Sequence, residues 1–140
     1  MPELLMPSTA AHTSFLAAMA EFRAEGRGTP DDNSMIGHDH QDFASTWVTR
    51  EGFAAYVDHV LADSREDSPR PAGYVPQTTW WCLEGADYLG RISLRHRLTP
   101  HLLEVGGHIG YDVRPSARRR GHATAMLRSE EHTSELQSLV

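Results

Sequence analysis

The sequence predicts one α+β (mixed α/β) domain, in which a mainly antiparallel sheet is flanked by helices. Near the N-terminus, Phe15, Met19 and Phe22 recur at three or four residues, which predicts a helix with one buried face. Residues 78–113 contain runs of β-branched and aromatic residues divided by short turns, which predicts consecutive strands. A chain of 140 residues with 39% apolar and 23% charged residues suits a single globular core.

The first two elements are defined by their caps and breakers. Residues 3–6 form a short apolar run that Pro7 ends, and we expect the first strand there. Ser8 or Thr9 can cap a helix that runs to about Glu25, because a hydroxyl oxygen accepts from the free amides of a first turn. This helix is stopped by Gly26, Gly28 and Pro30.

Residues 29–41 are predicted to form a polar loop. The loop contains His38, Asp39 and His40, which are possible metal ligands. No further cysteine or histidine completes a convincing ligand spacing, so hydrated loop residues are the favoured interpretation and no metal is expected.

A second helix is expected after Thr49, whose hydroxyl can cap it. Glu51 then lies in the first turn, where the helix dipole favours negative charge, and Gly52 leaves the capping box incomplete. The predicted buried face consists of Phe53, Tyr56, Val57, Val60 and Leu61. A proline-containing loop over residues 63–73 leads from this helix to the sheet.

A hairpin is predicted from residue 78 to residue 96, with its turn at residues 84–87. Gly90 is a candidate β-bulge in the second strand. The expected core residues of the hairpin are Trp80, Trp81, Cys82, Leu89, Ile92 and Leu94. After Pro100 the chain returns as a third strand that ends near Val113.

The stretch from Gly106 to Leu127, GGHIGYDVRPSARRRGHATAML, combines a strand, a basic loop and a helix. The first amides of a helix have no partner within the helix, and the helix dipole adds partial positive charge there. Gly121 lets the backbone approach a bulky anion, and Ala123 keeps the first turn slim. This order predicts a pyrophosphate site. A P-loop is excluded because no Gly-Lys-Ser/Thr follows, and no Gly-x-Gly-x-x-Gly dinucleotide fingerprint is present.

The spacing Arg118-x-x-Gly121-x-Ala123 after this strand resembles the acyl-CoA motif of the GNAT acyltransferase superfamily, Gln/Arg-x-x-Gly-x-Gly/Ala. The resemblance implies an N-acetyltransferase with acetyl-CoA as co-substrate and a small-molecule or peptide amine as acceptor. It also implies that main-chain groups of the strand hold the pantetheine arm, that loop amides hold the pyrophosphate, and that the loop over residues 29–41 can face the acceptor. The implied cofactor-binding residues are Tyr111, Asp112, Val113, Arg118, Arg119, Arg120, Gly121, His122, Ala123 and Thr124.

The acceptor amine must lose a proton before it attacks the thioester, so a base or a water chain is required. Glu104 and His108 lie at or before the strand of the motif and are the candidate catalytic residues, with structural roles as the alternative. The general acid of the family, a tyrosine on a later helix, has no counterpart here, and no metal or covalent nucleophile is implied.

The family pattern continues beyond this helix with further strands, whereas this chain continues with RSEEHTSELQS, which looks like a translated sequencing adapter. We therefore expect residues 1–127 to be the N-terminal and acyl-CoA-motif part of a GNAT-like domain that lacks the C-terminal strands. Residues 128–140 are expected to be a non-native tail. On this interpretation the full-length parent is the enzyme, and it can form a homodimer; the chain as given is expected to be inactive.

Composition limits the other function classes. The net charge of -6 argues against a general nucleic-acid binder, although the three arginines at 118–120 and the tryptophans keep that module as an alternative. A non-catalytic CoA- or nucleotide-binding fragment is the main alternative. Cys82 is the single cysteine, so no internal disulfide is possible. No signal peptide or membrane span is predicted, and a cytoplasmic location without a membrane partner is expected.

Overall fold

The computed structural model describes residues 2–70, 72, 74–97, 109–122 and 125–126. Within them the chain forms an antiparallel four-stranded sheet and three α-helices, which confirms the mixed α+β class. The elements are β1 (Glu3–Leu5), α1 (His12–Ala24), α2 (Met35–Phe43), α3 (Arg50–Ala62), β2 (Gln77–Glu84), β3 (Asp87–Arg95) and β4 (Ile109–Val113). The strands lie side by side in chain order, β1-β2-β3-β4.

The start and end of α1 follow from the predicted caps. The hydroxyl of Ser8 accepts from the amide of Ala10 at 3.2 Å and opens a 3-10 turn, Thr9–Ala11, that leads into α1. Beyond the helix, Gly26 has a φ of 93°, a left-handed conformation that glycine adopts without strain. The prediction of a helix from Ser8 or Thr9 to about Glu25 is confirmed to within one turn.

The predicted polar loop over residues 29–41 is wrong in its second half, because α2 begins at Met35. Ser34 caps this helix by accepting from the amide of Gly37 at 3.1 Å. The helix buries Ile36 and His40 and leaves its other face polar. Polar residues dominate this segment and favour a loop, but Ile36, His40 and Phe43 recur at four and three residues and lie on one face of the helix. This period is the sequence signal for α2.

The start of α3 is as predicted and explains why a glycine lies in its first turn. The Thr49 hydroxyl accepts from the amide of Gly52 at 3.0 Å. A Cβ atom on Gly52 would lie 1.8 Å from the carbonyl oxygen of Thr46. The preceding turn therefore passes so close to α3 that only glycine fits.

The hairpin of β2 and β3 contains the expected bulge, one residue before Gly90. Cys82 pairs with Gly90 and Leu83 pairs with Tyr88, so Leu89 is the extra residue. The bulge turns Tyr88 and Arg91 to the same face of the sheet, although they are three residues apart. Gly90 is required for close approach, because a Cβ atom there would lie 2.3 Å from the carbonyl oxygen of Asp112 in β4.

The main core lies between one face of the sheet and the helices. Phe15 of α1 is its centre, with ring centroids of five other aromatic residues between 5.0 and 5.4 Å away. These residues are Trp47, Phe53, Tyr56, Trp81 and Tyr88. On the other face, buried Cys82 and Ile92 pack with Met126. Within the described ranges, no helix combines the length and apolar character needed to cross a membrane.

Replacing Gly52 by alanine tests the close contact at the start of α3. In an exposed helix this change stabilises by about 1 kcal/mol through propensity. Here the overlap with the Thr46 carbonyl reverses the sign, and we expect a loss of about 1–2 kcal/mol in the free energy of unfolding, measured in urea. Ala55→Gly, at an exposed position of the same helix, is the propensity control, with an expected loss of about 1 kcal/mol. A more stable Gly52→Ala protein would contradict the packing described here.

Candidate functional site

The candidate site begins where β4 ends. Pro115–Ala117 form a 3-10 turn, and Arg118 to Gly121 form a tight loop. Helical structure resumes at His122, and the amide of Ala125 donates to the carbonyl of Gly121 at 2.9 Å. The described residues thus have the predicted order of strand, loop and helical turn.

Two residues of this loop have left-handed backbones, Arg119 with a φ of 64° and Gly121 with a φ of 79°. Glycine adopts this conformation freely, but Arg119 is the one non-glycine residue in the described part of the chain that does so. Left-handed residues in turns direct successive amides to one side, which forms a concavity for anions. A Cβ atom on Gly121 would meet nothing within 4 Å, so the space above the loop is open.

The three arginines of the loop, residues 118–120, differ in whether a carboxylate already neutralises their charge. Arg118 donates to both carboxylate oxygens of Glu25, at 2.7 and 2.8 Å, and to the carbonyl of Val113 at 3.1 Å. The hydrogen bond from Arg118 lowers the pKa of Glu25 below its ordinary value. Arg119 and Arg120 are exposed and make no hydrogen bond or ion pair with the described residues. Positive charge for an anion therefore comes from these two residues.

The start of the loop is attached to α1 by Glu21. Its carboxylate accepts from Nε of Arg114 at 3.0 Å, from Nη2 of the same guanidinium, and from the amide and hydroxyl of Ser116 at 2.8 and 2.9 Å. Burial alone would raise the pKa of Glu21, but these hydrogen bonds outweigh it and hold the pKa below the ordinary value. The carboxylate is thus ionised where it binds the loop.

The strand before the loop presents different groups on its two faces. Asp112 faces the helices and lies 3.4 Å from Nη2 of Arg27. Tyr111 is about half exposed on the other face. β4 pairs with β3 and, among the described residues, with no other strand. An edge strand of this kind can bind an extended ligand through its main chain.

Several predicted site residues lie outside the described part of the chain. They include both candidate bases, Glu104 and His108, as well as Ala123 and Thr124. The boundary at residue 127 and the tail over residues 128–140 lie outside it too. These assignments stay predictions.

The histidines of α2 do not gather into a metal site. His40 is buried, and its Nδ1 lies 2.9 Å from the carbonyl oxygen of Ile36 in the same helix. The described residues contain no group of three or more side chains that could hold a metal ion. An open cavity of about 440 Å³ is lined by none of the predicted site residues. Its lining comes from the starts of α1 and α3, namely Thr9, Ala10, His12, Thr13, Arg50 and Phe53.

Sequence reasoning missed a buried polar group in β3. The Arg91 side chain is only 4% exposed, and its Nη1 donates to Oδ2 of Asp39 at 2.7 Å. The hydroxyl of Tyr56 donates to the same oxygen, also at 2.7 Å. The available signal was a charged residue in the middle of β3, between Gly90 and Ile92, where the strand is buried.

Comparisons with known proteins identify no family for this chain. No protein-family model matches the sequence, and no curated protein or solved structure matches the chain. Its function is therefore inferred from its own residues and geometry, together with the motif resemblance.

Replacing Glu21 by glutamine tests whether this carboxylate holds the loop. We expect the free energy of unfolding at neutral pH to fall by about 1–3 kcal/mol, because charge-assisted hydrogen bonds from Arg114 and Ser116 are lost. Because the pKa of Glu21 is lower in the folded protein, its ionised carboxylate contributes its full stabilisation of the fold above the ordinary pKa of 4.5. This stabilisation is lost as the pH falls through the folded-state pKa. The difference from wild type should therefore be constant above about pH 5 and vanish in acid. Glu3→Gln, at an exposed carboxylate of β1, is the matched control. A difference that persists in acid would contradict this role.

Proposed function

We propose that the full-length protein is an acyl-CoA-dependent N-acyltransferase with a GNAT-like fold, which transfers acetyl from acetyl-CoA to an amine. The observation that carries the proposal is the loop from Arg118 to Gly121. It lies between β4 and a helical turn, and two of its residues, Arg119 and Gly121, have left-handed backbone conformations.

The pyrophosphate of CoA is the anion that best suits this loop. It is large and doubly charged, and it needs several amide donors as well as positive side chains. The amides at the start of the helical turn supply donors, and Arg119 and Arg120 supply charge that no described carboxylate neutralises. On an acidic chain, this local patch favours one small polyanion over a long nucleic acid.

The pantetheine arm is proposed to lie along β4. Main-chain groups of residues 111–113 are candidates to bind its amides as a neighbouring strand would. The close approach of Gly90 to Asp112 lies on the β3 side of β4, opposite the edge proposed for the ligand.

In the proposed reaction the amine nitrogen attacks the thioester carbonyl. The carbon–nitrogen bond forms, the carbon–sulfur bond breaks, and CoA leaves as a thiolate that takes up a proton. A base accepts the proton lost by the amine, and Glu104 and His108 are the proposed candidates. Positioning of the two reactants supplies much of the rate in such transfers, up to about 7–11 kcal/mol of barrier.

CoA binding is the property to measure on this chain, with Gly121→Val as the test. The branched side chain would occupy the open space above the loop and strain a backbone with a φ of 79°. We expect the affinity for CoA, measured by calorimetry, to fall roughly ten-fold or more, since about 1.4 kcal/mol is lost for each factor of ten. Pantetheine, which has no phosphate, should bind wild type and variant equally.

Gly85→Val is the matched control. Gly85 also has a left-handed backbone, with a φ of 62°, and also has nothing within 4 Å of a Cβ atom, but it lies in the turn between β2 and β3. This variant should keep wild-type CoA affinity. Equal CoA affinity in wild type and Gly121→Val would overturn the pyrophosphate assignment. CoA binding by the full-length protein with no acetyl transfer to any amine would favour the non-catalytic alternative.

A further inference from the structure

Unpaired hydrogen-bond donors are concentrated at one place in the core. Five buried side-chain nitrogen and oxygen atoms of the described residues have no hydrogen-bond partner. Four of them belong to three neighbours, namely Nε1 of Trp81, the hydroxyl of Tyr88, and Nε and Nη2 of Arg91. We call these residues, together with Asp39 and Tyr56, the Arg91 cluster.

The members of the cluster are adjacent through the sheet. Trp81 pairs with Arg91 across β2 and β3, and the rings of Trp81 and Tyr88 lie 5.2 Å apart in an edge-to-face arrangement. The bulge at Leu89 brings Tyr88 and Arg91 to the same face. The donors are therefore grouped by the fold rather than scattered through the core.

Arg91 uses only one side of its guanidinium. Nη1 donates to Asp39, whereas Nε and Nη2 form the side-on edge with two parallel N–H groups. That edge matches the two oxygens of a carboxylate, and such bidentate pairs are among the strongest hydrogen-bonded contacts in proteins. Burial alone would lower the pKa of Arg91, but the negative charge of nearby Asp39 acts in the opposite direction, and the net pKa is above the ordinary value. The guanidinium therefore stays charged.

Leaving such donors unpaired in a protein interior is costly and uncommon. The hydroxyl of Tyr88 adds a neutral donor, because burial raises its pKa above the ordinary value. Two guanidinium N–H groups and a phenol together need acceptor oxygens. Asp39 accepts from Nη1 and from the Tyr56 hydroxyl but from none of these donors, so a ligand or buried water has to supply the acceptors.

The cluster reaches solvent at Asp39. Its side chain is 22% exposed, compared with 4% for Arg91. The free donors themselves are closed off from solvent in this structure, so a ligand reaches them only through a local opening, and Asp39 is the most exposed member of the cluster.

We propose that the free edge of Arg91 and the hydroxyl of Tyr88 form a binding site for the carboxylate group of a small ligand, which enters beside Asp39. This site is distinct from the proposed CoA loop and does not depend on it. Binding is therefore tested without CoA or acetyl transfer.

Formate and acetate are the probes, with chloride at equal ionic strength as the reference ion. The midpoint of thermal unfolding is measured against probe concentration. We expect formate to raise the midpoint of wild type with saturation, because a ligand that binds only the folded state stabilises it. Acetate should do the same if the site admits a methyl group.

Tyr88→Phe is the main variant, because it removes a hydroxyl that has no partner and leaves the ring in place. It should fold as well as wild type and need roughly ten-fold more formate for the same shift, the effect of one charge-assisted hydrogen bond. Tyr74→Phe makes the same change at an exposed tyrosine and should behave as wild type. Arg91→Lys keeps the charge beside Asp39 but loses the side-on edge, and it should abolish saturation.

Two results would overturn the proposal. Formate that acts no more strongly than chloride would mean that buried water alone satisfies the donors. Equal formate shifts in wild type, Tyr88→Phe and Arg91→Lys would place the anion elsewhere. Neither result bears on CoA binding, and loss of CoA binding in Gly121→Val would leave this site untouched.

Discussion

The carboxylate of Glu21 joins parts of the chain that are far apart in sequence. It lies on α1 and binds Arg114 and Ser116, which are 93 and 95 residues away. Arg114 in turn donates to the hydroxyl of Ser14 and to the carbonyl of Tyr88, each at 3.2 Å. One ion pair thus attaches the end of β4 to α1 and to the bulged part of β3. Because its oxygens and N–H groups are satisfied by several partners, the desolvation cost of the pair is offset.

The same face of α1 determines how much charge the loop presents. Glu21 and Glu25 are four residues apart and therefore lie on one side of the helix, where they neutralise Arg114 and Arg118. Arg119 and Arg120 come next in the chain and form no ion pair with these two carboxylates. The first arginines of the segment therefore hold the loop, and the later ones are free to attract an anion.

Local patterns in the sequence predicted those elements whose stability comes from local features. The helical period of Phe15, Met19 and Phe22, the cap at Thr49 and the turn of the hairpin are each contained within a few residues, and each is found in the structure. The helix α2 is the exception, because polar residues dominate it and obscure the helical period of Ile36, His40 and Phe43. Its apolar face is covered by another helix, as the edge-to-face contact of the Phe43 ring with the Tyr56 ring of α3 shows.

The candidate site divides in the same way. The spacing of Arg118 and Gly121 is a local signal, and the order of strand, loop and helical turn could be predicted from it. The pairing of Arg118 with Glu25 could not be predicted, because the two residues are 93 positions apart and no local sequence pattern indicates the contact. The pairing of Arg91 with Asp39 could not be predicted for two reasons. The two residues are far apart in the sequence, and Asp39 lies on α2, where the sequence predicts a loop.

The two proposed sites are neighbours in the sheet, and that adjacency gives them a physical relation. Arg91 pairs with Asp112 across β3 and β4, and neighbouring strands lie about 4.8 Å apart. Asp112 forms an ion pair with Arg27, which lies between α1 and α2. Asp39, the partner of Arg91, lies on α2 itself. A carboxylate bound at Arg91 and a ligand bound along the free edge of β4 would therefore be separated by β4 itself. The ion pairs of Arg27 with Asp112 and of Asp39 with Arg91 thus attach the segment from Arg27 to α2 to two neighbouring strands of the sheet.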